Sequence, residues 1–130
     1  MTNNSDGVIA MAQQLPPTLQ DKLRKYEAQL RTYEAFKTQN LMTQQELSEI
    51  SMTLTELKKY PEDGATYKAV GSVMFLVDKA KLVVDLEERE GELKRFSEST
   101  SRKVQEFETK LTALKNELEI ELGKQNLKLQ

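Results

Sequence analysis

The sequence predicts a mainly α-helical chain: a long antiparallel two-helix coiled coil with a single β-hairpin inserted between the helices. Three observations predict it. Apolar residues recur at alternating four- and three-residue steps along two long, charged stretches, which is the a/d pattern of a coiled-coil seam. Between those stretches, Ala65 to Val77 carries one basic and no acidic side chain, in a chain that is 31% charged. At the centre of that apolar island, Val70-Gly71-Ser72-Val73 puts a glycine at the first position of a two-residue turn, where a type II′ hairpin turn needs a positive φ.

In chain order, residues 1–14 read as a flexible polar tail in which Val8, Ile9 and Met11 form a short apolar cluster. Leu15-Pro16-Pro17 marks the boundary, because proline suits the start of a helix and not its interior; residues 15–130 then form one domain. Thr18 followed by Asp21 resembles a capping box that opens a helix over about 18–59. Its seam runs Leu19, Leu23, Tyr26, Leu30, Tyr33, takes one extra three-residue step to Phe36, and continues through Asn40, Thr43, Leu47, Ile50, Leu54 and Leu57. The extra step overwinds the coil locally, and polar Asn40 and Thr43 read as register-setting residues. Tyr60-Pro61-Glu62-Asp63-Gly64 ends the helix with a proline and turn formers.

The hairpin covers about 65–77, with Thr66, Tyr67, Val70, Gly71, Val73, Phe75 and Val77 as its candidate assembly residues. Its second strand, Val73 to Val77, is apolar on both faces and so wants cover on both sides. A lone two-stranded hairpin is marginal in water, and both of its strands are edges. Hairpins of several chains joining into a shared sheet or barrel satisfy faces and edges together, so the hairpin reads as an oligomerisation element.

Asp78 is the N-cap candidate of a second helix over about 79–128. Its seam reads Leu82, Leu86, Arg89, Leu93, Phe96, Thr100, Val104, Phe107, Leu111, Leu114, Leu118, Leu122, Gln125 and Leu129, with stutters at Thr100 and at Leu118 to Leu122. Glu90 with Lys94, Glu98 with Arg102 and Glu106 with Lys110 place acid before base at i,i+4, which supports a solvated helix face. Gly91 and, apart from Glu98, the run Ser97 to Ser101 are poor helix formers, and with Asn40 and Thr43 they predict a soft zone partway along the coil.

If the helices fold back with Leu57 near Leu82, then Leu19 lies near Ile120 and Leu15 near Lys124, so both termini meet at one tip and the hairpin sits at the other end. That tip collects Val8, Ile9, Met11, Leu15, Leu19, Leu23, Leu122, Leu127 and Leu129, more apolar surface than one partner helix buries. Some of that apolar surface is expected to stay exposed.

Bulk composition narrows the function classes. The 130 residues allow one domain, and 38% hydrophobic content without tryptophan is thin for a globular core, so the chain is expected to be stable as part of an assembly. A net charge of −2, from 19 basic and 21 acidic residues, lacks the basic stripe that nucleic acid requires. With no Cys, no His and no phosphate-binding glycine loop, the chain carries no catalytic or metal-ligating constellation and implies no cofactor; we expect no enzyme. No apolar run approaches the roughly 18 residues of a membrane span and no signal pattern opens the chain, which makes cytoplasmic the expected location.

Leu15-Pro16-Pro17-Thr18-Leu19-Gln20-Asp21-Lys22-Leu23, Tyr67-Lys68-Ala69-Val70-Gly71-Ser72-Val73 and Asp78-Lys79-Ala80-Lys81 together resemble a β-type prefoldin subunit, over roughly residues 15–125. The length and the single hairpin fit the β class. The resemblance implies a hetero-hexamer of two α-type and four β-type subunits, whose hairpins form a double β-barrel platform from which six coiled coils hang. It implies tips that hold unfolded polypeptides without ATP and pass them to a group II chaperonin in an archaeal or eukaryotic cytosol. By position, Thr66 to Val77 would build the platform, and Leu15, Leu19, Leu23, Leu122, Leu127 and Leu129 would lie near the client-binding tips. The departure from the pattern is the tail before Leu15, longer and more apolar than the family leads one to expect. The alternative reading is a non-catalytic coiled-coil tether or adaptor that recognises one folded partner.

Overall fold

Helix α1 runs from Pro17 to Lys59 in the computed structural model, which describes residues 15–125. Pro17 takes the first helical position, where its missing N–H would have been unpaired in any case. The Pro16 carbonyl accepts from the amides of Leu19 and Gln20, each at 3.0 Å, and the Gln20 side-chain amide donates to the Leu15 carbonyl at 2.7 Å. Thr18 therefore lies inside the first turn and not at its cap, a correction to the capping-box expectation, and Asp21 pairs with Arg24 instead. The prolines set the start because their fixed φ is already helical.

At the other end of α1, Tyr60 N–H still bonds back to Glu56 and Leu57 before Pro61 stops the helix, and Gly64 N–H closes a turn on the Pro61 carbonyl at 3.0 Å. A side chain at Gly64 would strike the Tyr60 ring, which would have to shift aside. Strands β1 (Thr66–Val70) and β2 (Val73–Val77) follow as an antiparallel pair, with Val70 facing Val73 across the Gly71-Ser72 turn. Gly71 has φ +59°, as the sequence pattern requires. Helix α2 then runs from Lys79 to Lys124. Asp78 caps it: its carboxylate accepts from Lys81 N–H at 3.3 Å and its carbonyl from Leu82 N–H at 3.0 Å.

The chain divides into two compact units. The terminal unit holds Met1–Lys37 with Ser101–Gln130, and the hairpin unit holds Thr38–Thr100. In the terminal unit, α1 and α2 pair antiparallel around Leu15, Leu19, Leu23, Leu118 and Leu122, with Tyr26 and Leu114 packed against that cluster. Further along the same pair, the rings of Phe36 and Phe107 meet at 5.6 Å between centroids, inside the range for a favourable tilted contact. In the hairpin unit, Ile50, Leu54 and Leu93 form the core, flanked by Leu47, Val83 and Leu86.

One stretch of the seam departs from the expected phase. Phe96, expected inside, is 45% exposed, whereas its neighbour Ser97 is 7% exposed and buried with Thr43 and Thr100. The Ser97 hydroxyl bonds the side chains of Asn40 (3.3 Å) and Gln44, while the hydroxyls of Thr43 and Thr100 donate to the carbonyls of Gln39 and Phe96 one turn earlier. The covered positions on α2 run Leu86, Glu90, Leu93, Ser97, Thr100, Val104, an unbroken four-three alternation, so the stutter expected at Thr100 is absent and Arg89 stays exposed. Asn40, Gln44 and Ser97 satisfy one another here, and that mutual pairing fixes the phase against the hydrophobicity of a single phenylalanine.

Candidate functional site

Two places follow from the fold: the hairpin and the terminal apolar cluster. Strict alternation along the hairpin puts Val70 with Val73, Lys68 with Phe75 and Thr66 with Val77 on one face, and Ala69 with Met74 and Tyr67 with Leu76 on the other. Tyr67, Val70, Val73 and Phe75 are each half exposed or more, and Met74 and Leu76 reach 66% and 70%. Thr66 is buried at the root of the hairpin, and Val77 is half-buried. Among the described residues the sheet has two strands, and each presents an unpaired edge there.

The hairpin is held to the helices by a residue that sequence reasoning missed. Lys79, 8% exposed, donates from Nζ to the Tyr60 carbonyl at 2.6 Å and lies 3.5 Å from Glu62. The first residue of α2 thereby places its ammonium on the carbonyl just past the last residue of α1, where the negative end of a helix favours a positive charge. A lysine one position after an N-cap aspartate gave no signal, because its partner is a backbone atom 19 residues away. Beside this clamp, Met52 and Leu57 of α1, Tyr60 just after it, and Tyr67 and Met74 of the hairpin line an apolar groove of about 680 Å³.

In the terminal unit the site residues expected at the tip fall into two groups. Leu15, Leu19, Leu23 and Leu122 are buried in the helix–helix core with Leu118, and Leu122 and Leu118 are fully covered. Ile9, Met11, Leu127 and Leu129 lie outside the described residues. Leu19 packs in one cluster with Leu118 and Leu122, which bracket the expected neighbour Ile120, while Ile120 itself turns outward. Lys22 straps the same helices together, bonding Glu117 at 2.6 Å and Glu121 at 2.5 Å. These bonds, that to Glu117 first and that to Glu121 second, hold the Lys22 ammonium above the ordinary lysine range.

A helix pair with heptad seams and a hairpin of this register between its arms is matched by known proteins. Residues 17–125 match the family model described as prefoldin subunit. The chain belongs to the prefoldin subunit family. Among curated prefoldin β subunits, that of Pyrobaculum islandicum is 30% identical over 114 residues, covering 85% of this chain and 89% of its own length. That of Thermococcus gammatolerans is 30% identical over 108 residues, covering 78% of this chain and 92% of its own. The crystal structure of the prefoldin β subunit from Thermococcus strain KS-1 superposes with a TM-score of 0.71 at 27% identity, over 82% of this chain and 94% of that one. A likeness to such β subunits agrees with the single hairpin seen here.

Among the described residues no group of His, Cys, Asp or Glu is arranged to hold a metal ion, and no helix is long and apolar enough to cross a membrane. On the flank of the hairpin unit, Met42, Leu93 and Phe96 line a groove of about 550 Å³, bordered by the ion pairs of Arg89 with Glu46 and Glu92. The groove exists because Phe96 lies outside the seam, a phase set by the partner helix.

Proposed function

We propose that this chain is a β-type subunit of an ATP-independent chaperone that captures unfolded polypeptides and passes them to a group II chaperonin in the cytoplasm. Membership of the prefoldin family supports the chaperone role. The observation that carries the assembly half of the reading is the bare hairpin, whose Val73, Met74, Phe75 and Leu76 are each at least half exposed. Exposing a contiguous apolar strand with open edges destabilises a monomer and invites pairing, so the hairpin joins other subunits through Thr66, Tyr67, Val70, Gly71, Val73, Phe75 and Val77. Its partners in this reading are further β-type copies and an α-type subunit in a two-α, four-β hexamer.

Capture of clients belongs to the terminal unit. Leu15, Leu19, Leu23 and Leu122 are committed to helix packing and become available only as the last turns open, whereas Ile9, Met11, Leu127 and Leu129 belong to the chain ends beyond that core. Several weak apolar contacts, one set per subunit, add by avidity to useful affinity without nucleotide. Leucine and methionine suit varied clients because they repack readily.

The test replaces Ile9, Met11, Leu127 and Leu129 with serine together, which leaves the buried core intact. The assembled complex is expected to keep its mass and lose most of its suppression of thermal aggregation of citrate synthase. A variant complex that protects as well as the parent overturns capture at these chain ends. Nucleotide turnover by the purified complex would overturn the ATP-independent reading.

A further inference from the structure

We propose that the flank of the hairpin unit between Met42 and Phe96 is a docking groove for a basic amphipathic helix of another protein, separate from both the hairpin and the chain ends. Met42 and Phe96 wall the groove, 62% and 45% exposed, and buried Thr43 and Leu93 form its floor. The enclosed space is about 550 Å³. Its shape is set before anything binds. Turning α2 to bury Phe96 would pull Ser97 away from Asn40 and Gln44 and leave buried polar atoms unpaired. The polar layer thus holds the phenylalanine outward against the hydrophobic effect, and a preformed apolar wall lowers the cost of association.

The charge around the groove identifies the occupant. Glu46 and Glu92 share the guanidinium of Arg89, at 3.1 and 3.5 Å. By helical spacing the same flank carries Glu49 on α1 and Asp85 and Glu88 on α2, all exposed and in no ion pair among the described residues. Against these carboxylates stand Arg89 and, one turn nearer the hairpin, Lys81. Arg95 folds away from the groove onto Gly91, its Nη1 3.5 Å from where a Cβ there would stand. The opposite flank differs on both counts. There Lys58 pairs with Glu87 and Lys94 with Glu90, and polar Gln44, Ser48 and Ser51 stand in place of Met42 and Phe96. An apolar groove rimmed by excess negative charge suits an apolar segment edged with lysine or arginine, whose long stems reach the rim. The dimensions suit a helix. Gln39 to Glu46 is two turns, about 10 Å, which matches apolar side chains at i, i+3 or i+4, and i+7 of a docked helix.

The probe is a fluorescein-labelled 14-residue peptide of leucine, alanine and lysine, with its leucines on one helical face, added to the full-length assembled protein. Anisotropy is expected to report binding that weakens as salt is raised. Phe96→Ser should weaken binding by about tenfold. Glu46→Gln with Glu92→Gln should weaken it by about fivefold at low salt, and this pair leaves the apolar walls in place. Replacing Ile9, Met11, Leu127 and Leu129 with serine should leave the parent affinity. Absence of binding overturns the proposal, as does equal binding of a peptide whose lysines are replaced by glutamates. Parent affinity in both groove variants overturns it too. Loss of binding in the chain-end variant would put the peptide at the tips, and a changed complex mass for Phe96→Ser in native mass spectrometry would assign the groove to a second copy; either result overturns the proposal. Suppression of citrate synthase aggregation should be unchanged in Phe96→Ser, so the groove and client capture at the chain ends can fail separately.

Discussion

At the scale of single residues, charge is used where helices must be tied to one another. Lys22 joins α1 to two carboxylates of α2, and its pKa is raised by them. A raised folded-state pKa means the contribution is fully present below the ordinary lysine value of 10.5 and is lost as pH climbs through the higher folded value. Lys22→Met is thus expected to be less stable than the parent at neutral pH, with the two converging in the alkaline range; urea unfolding followed by circular dichroism across pH checks this. The partners are partly solvated, so added salt should shrink the difference as well. Lys79 is a different case, because its side chain is buried and its main partner is a carbonyl. Lys79→Met should destabilise the chain by about 1–3 kcal/mol, since a charge-assisted bond goes and the Tyr60 carbonyl loses its donor. Gly71 bears on the hairpin through backbone alone: a Cβ there meets nothing within 4 Å, but φ +59° is strained for any L-residue. Gly71→Ala should therefore cost about 1–2 kcal/mol, and Gly71→Asn less, as read by thermal unfolding.

At the scale of elements, the informative feature is the polar layer in the helix pair of the hairpin unit. Asn40, Gln44 and Ser97 bond one another while Thr43 and Thr100 bond their own helices. Such a layer contributes less stability than leucine would, but it admits one register only, because any slip leaves buried polar atoms unpaired. Ser97→Ala removes the shared hydroxyl and is expected to cost about 1–2 kcal/mol. The double change Asn40→Leu with Ser97→Leu should recover that loss or exceed it, and amide exchange around residues 40 and 97 should slow. Faster exchange in the double variant would show that the layer supports the helix pair by packing and not by specificity. The expectation of a soft zone around Ser97 to Ser101 is answered in the same measurement, since these amides report it directly.

At the scale of the whole molecule, the apolar inventory explains why the chain needs partners. Among the described residues the buried cores are two small leucine-rich clusters, while the hairpin shows its largest apolar side chains to water. Val73→Lys with Phe75→Lys places two charges on one face of the sheet, opposite Val70 and Lys68. The expected outcome is a complex that falls apart by native mass spectrometry, while the separated chain keeps its helical circular dichroism. Loss of helix together with assembly would instead mean that the helices depend on the hairpin's partners for their fold. On the proposed multivalent capture, which needs an intact assembly, this variant should also lose protection of clients.

The sequence by itself determined the element order, the proline-bounded start of α1, the hairpin with its Gly71 turn, the Asp78 cap and the heptad positions of α1, because each follows from local backbone chemistry or from a periodicity within one segment. It named Leu15, Leu19, Leu23 and Leu122 as a group, and they do cluster. Only the tertiary structure decided that Ser97 and not Phe96 faces the partner helix, that Lys79 reaches back to Tyr60, and that Ile120 looks outward. The reason is physical: a heptad pattern gives the spacing of a seam, but its phase through a polar stretch is set by the hydrogen-bond partners that the other helix brings to it.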